Sequence, residues 1–209
     1  MYKSENNCMS NNKDDLKIWD ASFESNKEIH TGSILLGEPF MQDENFKKAV
    51  IVVCEHSPNE GTLGFVFNKV TQLFLSDLID EIELEDIKIY SGGPCEEDTL
   101  HYIHTYGAKI KNSIHIGNGL YWGGEFNDVK SILYSNGYEE NQIRFFIGYS
   151  GWQYVQLMEE IKEHTWVINN QTRLSIFEYE VESIWSDILK EMGGAYKILA
   201  TYPENPIFN

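Results

Sequence analysis

Residues 142–152 read Gln-Ile-Arg-Phe-Phe-Ile-Gly-Tyr-Ser-Gly-Trp. Ile143, Phe145 and Ile147 alternate, so they share one face of a strand. Gly148 breaks the alternation. Gly148-Tyr149-Ser150-Gly151-Trp152 then reads as a sharp turn on glycines, with a helix starting near Gln153. Behind it Tyr154, Leu157, Met158 and Ile161 recur at helical spacing.

Other segments carry the same punctuation. Residues 33–36 read as a short strand. Residues 49–54 are an unbroken apolar run, the mark of a strand buried on both faces, and Glu55-His56 closes it. Residues 57–64 hold Pro58, Asn59, Gly61 and Gly64 and read as a loop, with a strand over 65–70 ending near Asn68. A strand over 87–91 stops at Gly92-Gly93-Pro94. Residues 100–105 and 113–116 read as an antiparallel pair, 120–122 as a third short strand, and 165–169 as a further one.

Helices are expected over 73–79, over 126–133 with Gly137 at the end, and over 181–192. In the last, Val181, Ile184, Trp185, Ile188, Leu189 and Met192 make an apolar stripe closed by Gly193. Hairpins mixed with strand–turn–helix units argue for an α+β fold: a mixed sheet with flanking helices, not a doubly wound parallel sheet.

The chain has 209 residues. That length buries roughly 70% of the unfolded surface and needs no staples. Residues 1–12 are polar and expected to be a disordered tail. Residues 13–31 form an N-terminal arm, with Leu16, Ile18, Trp19 and Phe23 available to dock on the body. Residues 32–209 make a single domain.

The net charge is −17. Phosphate backbones are bound through Lys and Arg, so direct nucleic-acid binding is not expected, and anionic membranes are disfavoured for the same reason. Residues 77–86 hold six acids and no base. Such acidity serves solubility or steers a basic partner. No apolar run reaches the ~20 residues of a membrane helix, and the polar start lacks the apolar stretch of a signal peptide, so a cytoplasmic protein is expected. Cys8, Cys54 and Cys95 match no zinc or redox spacing and read as free thiols.

Three strand ends supply candidate chemistry. Ser150 on a strand-to-helix turn resembles a nucleophile elbow, but Trp152 stands where that motif needs a second glycine. Free N–H groups at the helix start could hold an anion. The bland alternative has the glycines permit the turn, Ser150 cap the helix and Trp152 pack. Gly92-Gly93-Pro94-Cys95 lacks the lysine of a phosphate loop, so its glycines more readily admit a neighbouring backbone. His56 could act as a base toward Ser150 or Cys95, or bind metal with Glu55, though with one such pair a metal site would need distant ligands. His101 and His104 fall on opposite faces of a strand. Asn68 is placed to hydrogen-bond a neighbouring turn.

In order along the chain, several motifs together resemble the YqgE/AlgH family of bacterial proteins. They are Gly37-Glu38-Pro39-Phe40 with Phe46 and Lys48; Val53-Cys54-Glu55-His56; Gly64-Phe65-Val66-Phe67-Asn68-Lys69; Tyr90-Ser91-Gly92-Gly93-Pro94; Gly148-Tyr149-Ser150-Gly151-Trp152 with Gln156, Leu157 and Glu160; and Trp166. The segments 100–104 and 121–124 look like the Bacteroidota branch. The resemblance implies an α/β sandwich with a folded, barrel-like sheet, in the bacterial cytoplasm. It implies no particular chemistry; some members are described as transcriptional regulators. The family pattern has proline where this chain has Lys69, valine where it has Cys95, and Pro-Gly where it has Tyr154-Val155.

The combined expectation is a non-enzymatic binding or regulatory module for a protein or peptide, with no cofactor and no metal. The turns would converge on one shallow cleft: Glu55 and His56, then Asn68, then Gly92, Gly93 and Pro94, then Ser150, Gly151, Trp152 and Gln156, with Trp152 as the apolar anchor. A hydrolase or transferase using Ser150 or Cys95 with His56 as base stays open. So does a transcriptional regulator that acts through a protein partner.

Overall fold

Apolar alternation and glycine punctuation generate ten strands and five α-helices in the computed structural model, which describes residues 28–135, 138–172 and 175–202. The tail at 1–12, most of the arm and the helix stop at Gly137 lie outside the described residues. The strands are β1 (Ile34–Gly37), β2 (Val50–Ser57), β3 (Gly61–Val66), β4 (Val70–Phe74), β5 (Lys88–Ser91), β6 (Cys95–His104), β7 (Ile114–Gly117), β8 (Leu120–Trp122), β9 (Ile143–Trp152) and β10 (Trp166–Asn169). The helices are α1 (Leu75–Leu78), α2 (Phe126–Leu133), α3 (Tyr154–Lys162), α4 (Ile184–Met192) and α5 (Tyr196–Leu199).

The strands hydrogen-bond in the order β10-β1-β2-β3-β9-β6-β8-β7, with β5 also on β9 and β4 on β5. The β5–β9 pair is parallel and the other pairs are antiparallel. This is an α+β fold with a mixed, folded sheet and flanking helices.

Strand β9 causes the folding. Its first half, through Ile147, pairs with β5 and β6, and past the kink Tyr149 still lies opposite Cys95 of β6. Its second half, Ser150 to Trp152, pairs with β3. Gly148, at φ +66°, sits between the halves, in backbone territory that L side chains enter at a cost. The expected turn over 148–152 is therefore corrected: the strand kinks and continues, and Gln153 rather than Ser150 stands at the N-terminus of α3.

The apolar side chains sort by face. Phe146 faces the shared core, where Val50, Val52, Phe65 and Phe67 meet Trp185 and Ile188 of α4. Phe145 faces the other way, toward Ile89, Tyr102 and Val129 of α2. On the remaining face, Ile51, Val53 and Trp152 pack on Leu157 of α3. Strand β2 is thus buried on both sides, as its unbroken apolar run implies.

Three further expectations are corrected. The loop over 57–64 is a tight hairpin, because Gly61 and Gly64 are strand residues. A Cβ on Gly64 would lie 2.7 Å from the Val52 carbonyl oxygen, so glycine there marks close packing rather than a break. The strand over 65–70 ends at Val66, and a separate strand begins at Val70. Residues 100–105 and 113–116 do not pair with each other, because β8 lies between β6 and β7.

Candidate functional site

The kink in β9 brings two glycine-rich segments into contact. Gly92 donates its N–H to Ile147 O at 2.9 Å, and its own carbonyl accepts the Val66 N–H at 2.9 Å. The same carbonyl accepts the Ser150 hydroxyl at 2.9 Å. A Cβ on Gly92 would stand 2.3 Å from Gly148 O, and one on Gly93 2.3 Å from Ser150 Oγ. Glycine is required here by the crossing backbone, as the sequence suggests.

That crossing decides the fate of the catalytic candidates. Ser150 is fully buried and its proton is committed to Gly92. It cannot reach a substrate, so the nucleophile reading is corrected. His56 is not its base: Ser150 lies opposite Gly64, which lies opposite Val53. The His56 Nδ1 is instead 2.8 Å from Thr62 Oγ1, and its ring leans on Tyr154 with centroids 5.7 Å apart. Burial, helped by the nearby His30, pushes the His56 pKa down. Cys95 is half-buried at the start of β6, opposite Tyr149, and has no hydrogen bond to a histidine among the described residues. Cys54 is buried, and burial pushes its thiol well up, as suits a small core residue. Among the described residues no group of three His, Cys, Asp or Glu could hold a metal, and no helix is long and apolar enough to cross a membrane.

Trp152 is also corrected. It is 6% exposed, so it is a core residue and not an anchor for a partner. Its indole N–H donates to Glu160 Oε2 at 3.0 Å, and the Trp166 indole N–H donates to the same oxygen at 2.8 Å. Gln156 donates to the other oxygen at 2.8 Å. The two indoles meet edge to face at 5.6 Å, and Phe46 packs on both. One carboxylate thus holds α3 to the sheet through two indole donors, while Gln156 of the same helix orients it. Glu160 belongs to this cluster although the cleft expected from sequence omits it. The signal available was its spacing: Gln156 and Glu160 stand four apart on one helix face.

Asn68 is a clip. Its Oδ1 accepts the Val50 N–H at 2.9 Å and its Nδ2 donates to Lys48 O at 3.0 Å. It thereby fixes Lys48, which sits at φ +52°.

The expected cleft therefore divides. Gly92, Gly93 and Ser150 are inside the molecule, Pro94 and Gln156 are exposed elsewhere, and Asn68 lines a groove of about 530 Å³ with Lys47, Lys48 and Lys69. Glu55, Gly151 and the edge of Trp152 line a different groove of about 240 Å³ at the end of the β2–β3 hairpin. Its other walls are Ser57, Glu60, Gly61, Thr62, Leu63 and Tyr149. The Tyr149 hydroxyl donates to Glu96 Oε1 at 3.3 Å, which adds a third carboxylate at the margin. Gly151 is exposed on the groove floor, and a Cβ there would meet the Tyr149 ring edge at 3.2 Å and Cys95 Sγ at 3.8 Å, with no backbone atom nearer.

The AlgH-like family model (DUF179) matches residues 34–197 of this chain. The chain belongs to the AlgH-like family. It is similar to UPF0301 proteins of Cytophaga hutchinsonii and Bacteroides thetaiotaomicron. The first is 37% identical over 179 residues, 85% of this chain and 98% of the relative; the second is 36% identical over 179 residues, 85% of this chain and 90% of the relative. The fold is similar to that of a Corynebacterium diphtheriae protein solved by crystallography, with TM-score 0.69 and 21% identity over 84% of this chain and 94% of that one. It is also similar to the solution structure of AlgH from Pseudomonas aeruginosa, with TM-score 0.65 and 23% identity over 85% of this chain and 98% of that one. The crossing, the Glu160 cluster and the Asn68 clip use the residues on which the resemblance rests.

Proposed function

We propose that this AlgH-like protein is a non-enzymatic binding module that takes a basic stretch of a protein partner in the groove beside Gly151. One juxtaposition carries the reading. Gly151 leaves the β9 backbone open between Glu55 and Tyr149, with Glu60 beside it, and no Lys or Arg lines that groove among the described residues. A Lys or Arg entering there would meet carboxylates for charge-assisted hydrogen bonds and an aromatic ring for a cation–π contact. The net charge of −17 supports long-range steering of such a partner and opposes nucleic acid. The burial of Ser150 supports a non-enzymatic reading. A regulatory output through a protein partner fits the same reading and requires no contact with DNA.

The test is a fluorescence-anisotropy titration with a labelled arginine-rich peptide. The expected result is binding that weakens with salt and falls at least about tenfold when Glu55→Lys and Glu60→Lys are combined. Binding that ignores both changes would reject the reading.

A further inference from the structure

Strand β4 is an edge of the sheet: it pairs with β5 and with no other strand among the described residues. Its side chains are poorly covered. Val70, Leu73 and Phe74 of β4 and Leu78 of α1 are between 36% and 52% exposed. These four fall within nine consecutive positions, whereas the other exposed large apolar side chains among the described residues are scattered singly along the chain. Single exposed apolar residues are ordinary; a strip of them on a sheet edge marks a surface that another chain covers. The edge itself is blunted. Val70 and Phe74 register with Tyr90 and Lys88 of β5, with an irregularity between them. There the Thr71 hydroxyl donates to Ile89 O at 2.8 Å and accepts the Leu73 N–H at 3.1 Å, and the Phe74 N–H donates to Asp77 Oδ2 at 2.8 Å. With these groups taken, the edge offers a partner side chains rather than a continuous ladder of backbone bonds.

The two ends of the strip carry opposite charge. At its start, Lys69 and Val70 line the groove of about 530 Å³ with Lys47, Lys48, Glu44 and Glu182. Lys47 pairs with Glu44 at 3.3 Å, and the Lys48 ammonium donates to the Tyr202 carbonyl and lies 4.8 Å over the Trp185 ring. Lys69 makes no ion pair among the described residues, so it is the cation left for a partner. At the other end stand Asp77, Asp80, Glu81, Glu83, Glu85 and Asp86, all exposed. Their loop is held in place: Ile82 is buried, the Glu83 N–H donates to the Tyr134 hydroxyl at 2.9 Å, and Lys130 pairs with Glu81 at 2.6 Å. Asp80 makes no ion pair among the described residues. An apolar strip with a cation at one end and acids at the other is complementary to itself when turned round.

We propose that this chain forms a symmetric dimer through β4 and α1, in which the strip is covered by the same strip of a second copy. A two-fold axis across β4 sets the two strands antiparallel. Lys69 of each copy then meets Asp80 of the other, with Val70, Leu73, Phe74 and Leu78 of both copies between the two charge pairs. The apolar side chains supply affinity, and the charge pairs set the orientation. A parallel arrangement is excluded by the same charges, since it sets Lys69 against Lys69 and acids against acids. The net charge of −17 on each copy opposes approach, so the association is reversible rather than obligate. The proposal is independent of the groove beside Gly151, which shares no residue with this strip.

The experiment is sedimentation equilibrium of the full-length chain over a concentration series. The wild type is expected to show a reversible monomer–dimer equilibrium. Phe74→Ser, at an exposed position, should weaken it at least about tenfold. Lys69→Glu sets a glutamate against Asp80, and Asp80→Lys sets a lysine against Lys69, so each alone should also weaken it at least about tenfold. Mixing these two chains opposes unlike charges at both contacts of the mixed dimer and should restore association close to that of the wild type. A chain that had failed to fold would gain nothing from the mixing. A wild type that stays monomeric throughout the series overturns the proposal and leaves the strip to some other partner. A dimer that Phe74→Ser leaves unchanged, or a mixture that associates no better than its separate chains, overturns it as well.

Discussion

Ser150 donates its hydroxyl proton to the carbonyl oxygen of Gly92 across 2.9 Å, at the point where β9 leaves one half of the sheet and joins the other. The bond turns a serine that reads as a nucleophile into part of the hinge of the fold. Gly92 completes the relationship, since a Cβ on it would stand 2.3 Å from Gly148 O.

Two substitutions separate the hydrogen bond from the close approach. Ser150→Ala keeps the space and loses one buried bond, while Val66 still donates to Gly92. Urea denaturation should show a loss of about 1 kcal/mol. Gly92→Ala forces two backbones apart and should cost about 3 kcal/mol or leave the chain unfolded. A fluorophosphonate probe should leave Ser150 unlabelled in the native wild type. Rapid labelling of Ser150 would contradict its burial.

Glu160 should matter more than its half-exposed position suggests. Glu160→Ala leaves the Trp152 and Trp166 indole N–H groups without their acceptor in the core. The expected cost is about 2–4 kcal/mol by chemical denaturation, with a changed near-ultraviolet circular dichroism from the indoles. Glu160→Gln keeps an acceptor oxygen and should recover about half of that loss.

Stability should fall on mild acidification. His104 is fully buried, its Nε2 lies 3.1 Å from Gly123 O, and its Nδ1 has no partner among the described residues. Its ring stacks on Tyr121 with centroids 5.8 Å apart. Burial pushes its pKa below the ordinary 6.5, against the upward pull of the Gly123 carbonyl. Burial also lowers His56 and His101. The unfolded chain therefore takes up protons first as pH falls through 6.5, and linkage makes folding stability decline from there downward. Urea midpoints should be flat between about pH 8 and pH 7 and fall between about pH 6.5 and pH 5. His104→Phe, which keeps the stack, should flatten part of that fall.

Much of this architecture is legible in the residues. The unbroken run at 49–54 announces a strand buried on both faces, and Ile143, Phe145 and Ile147 announce another. Val181 to Met192 announces the helix that closes the shared core. The region after Gly148 is misread because a glycine at positive φ inside a kinked strand looks the same in sequence as one in a turn. Only the pairing of Ser150 with Gly64 and of Gly92 with Ile147 tells them apart, and both partners are distant in the chain. Gly61 and Gly64 mislead for a related reason: they are glycine because a neighbouring backbone is close, not because the chain turns.

The site is less legible than the fold. The motif residues do not converge on the one cleft that the sequence led one to expect. Ser150, Gly92 and Gly93 hold the crossing, Trp152 and Gln156 serve the Glu160 carboxylate, and Asn68 clips Lys48. Glu55, Gly151 and the edge of Trp152 reach a common groove, and it is acidic because Glu60 in the β2–β3 turn and Glu96 of β6, held by Tyr149, stand beside them. No local pattern encodes that meeting.

The most direct test of recognition through this groove is selection of peptides from a random displayed library on the wild-type chain, with each enriched peptide re-measured on Gly151→Leu. Gly151 is exposed, and its Cβ would meet two side chains, the Tyr149 ring edge at 3.2 Å and Cys95 Sγ at 3.8 Å, and no backbone atom nearer, so leucine fills the groove without displacing the crossing backbone. Enrichment of Lys- or Arg-bearing peptides is expected, with binding to Gly151→Leu reduced at least about tenfold. Failure to enrich any peptide, or enriched peptides that bind Gly151→Leu as tightly as wild type, would contradict recognition at this site.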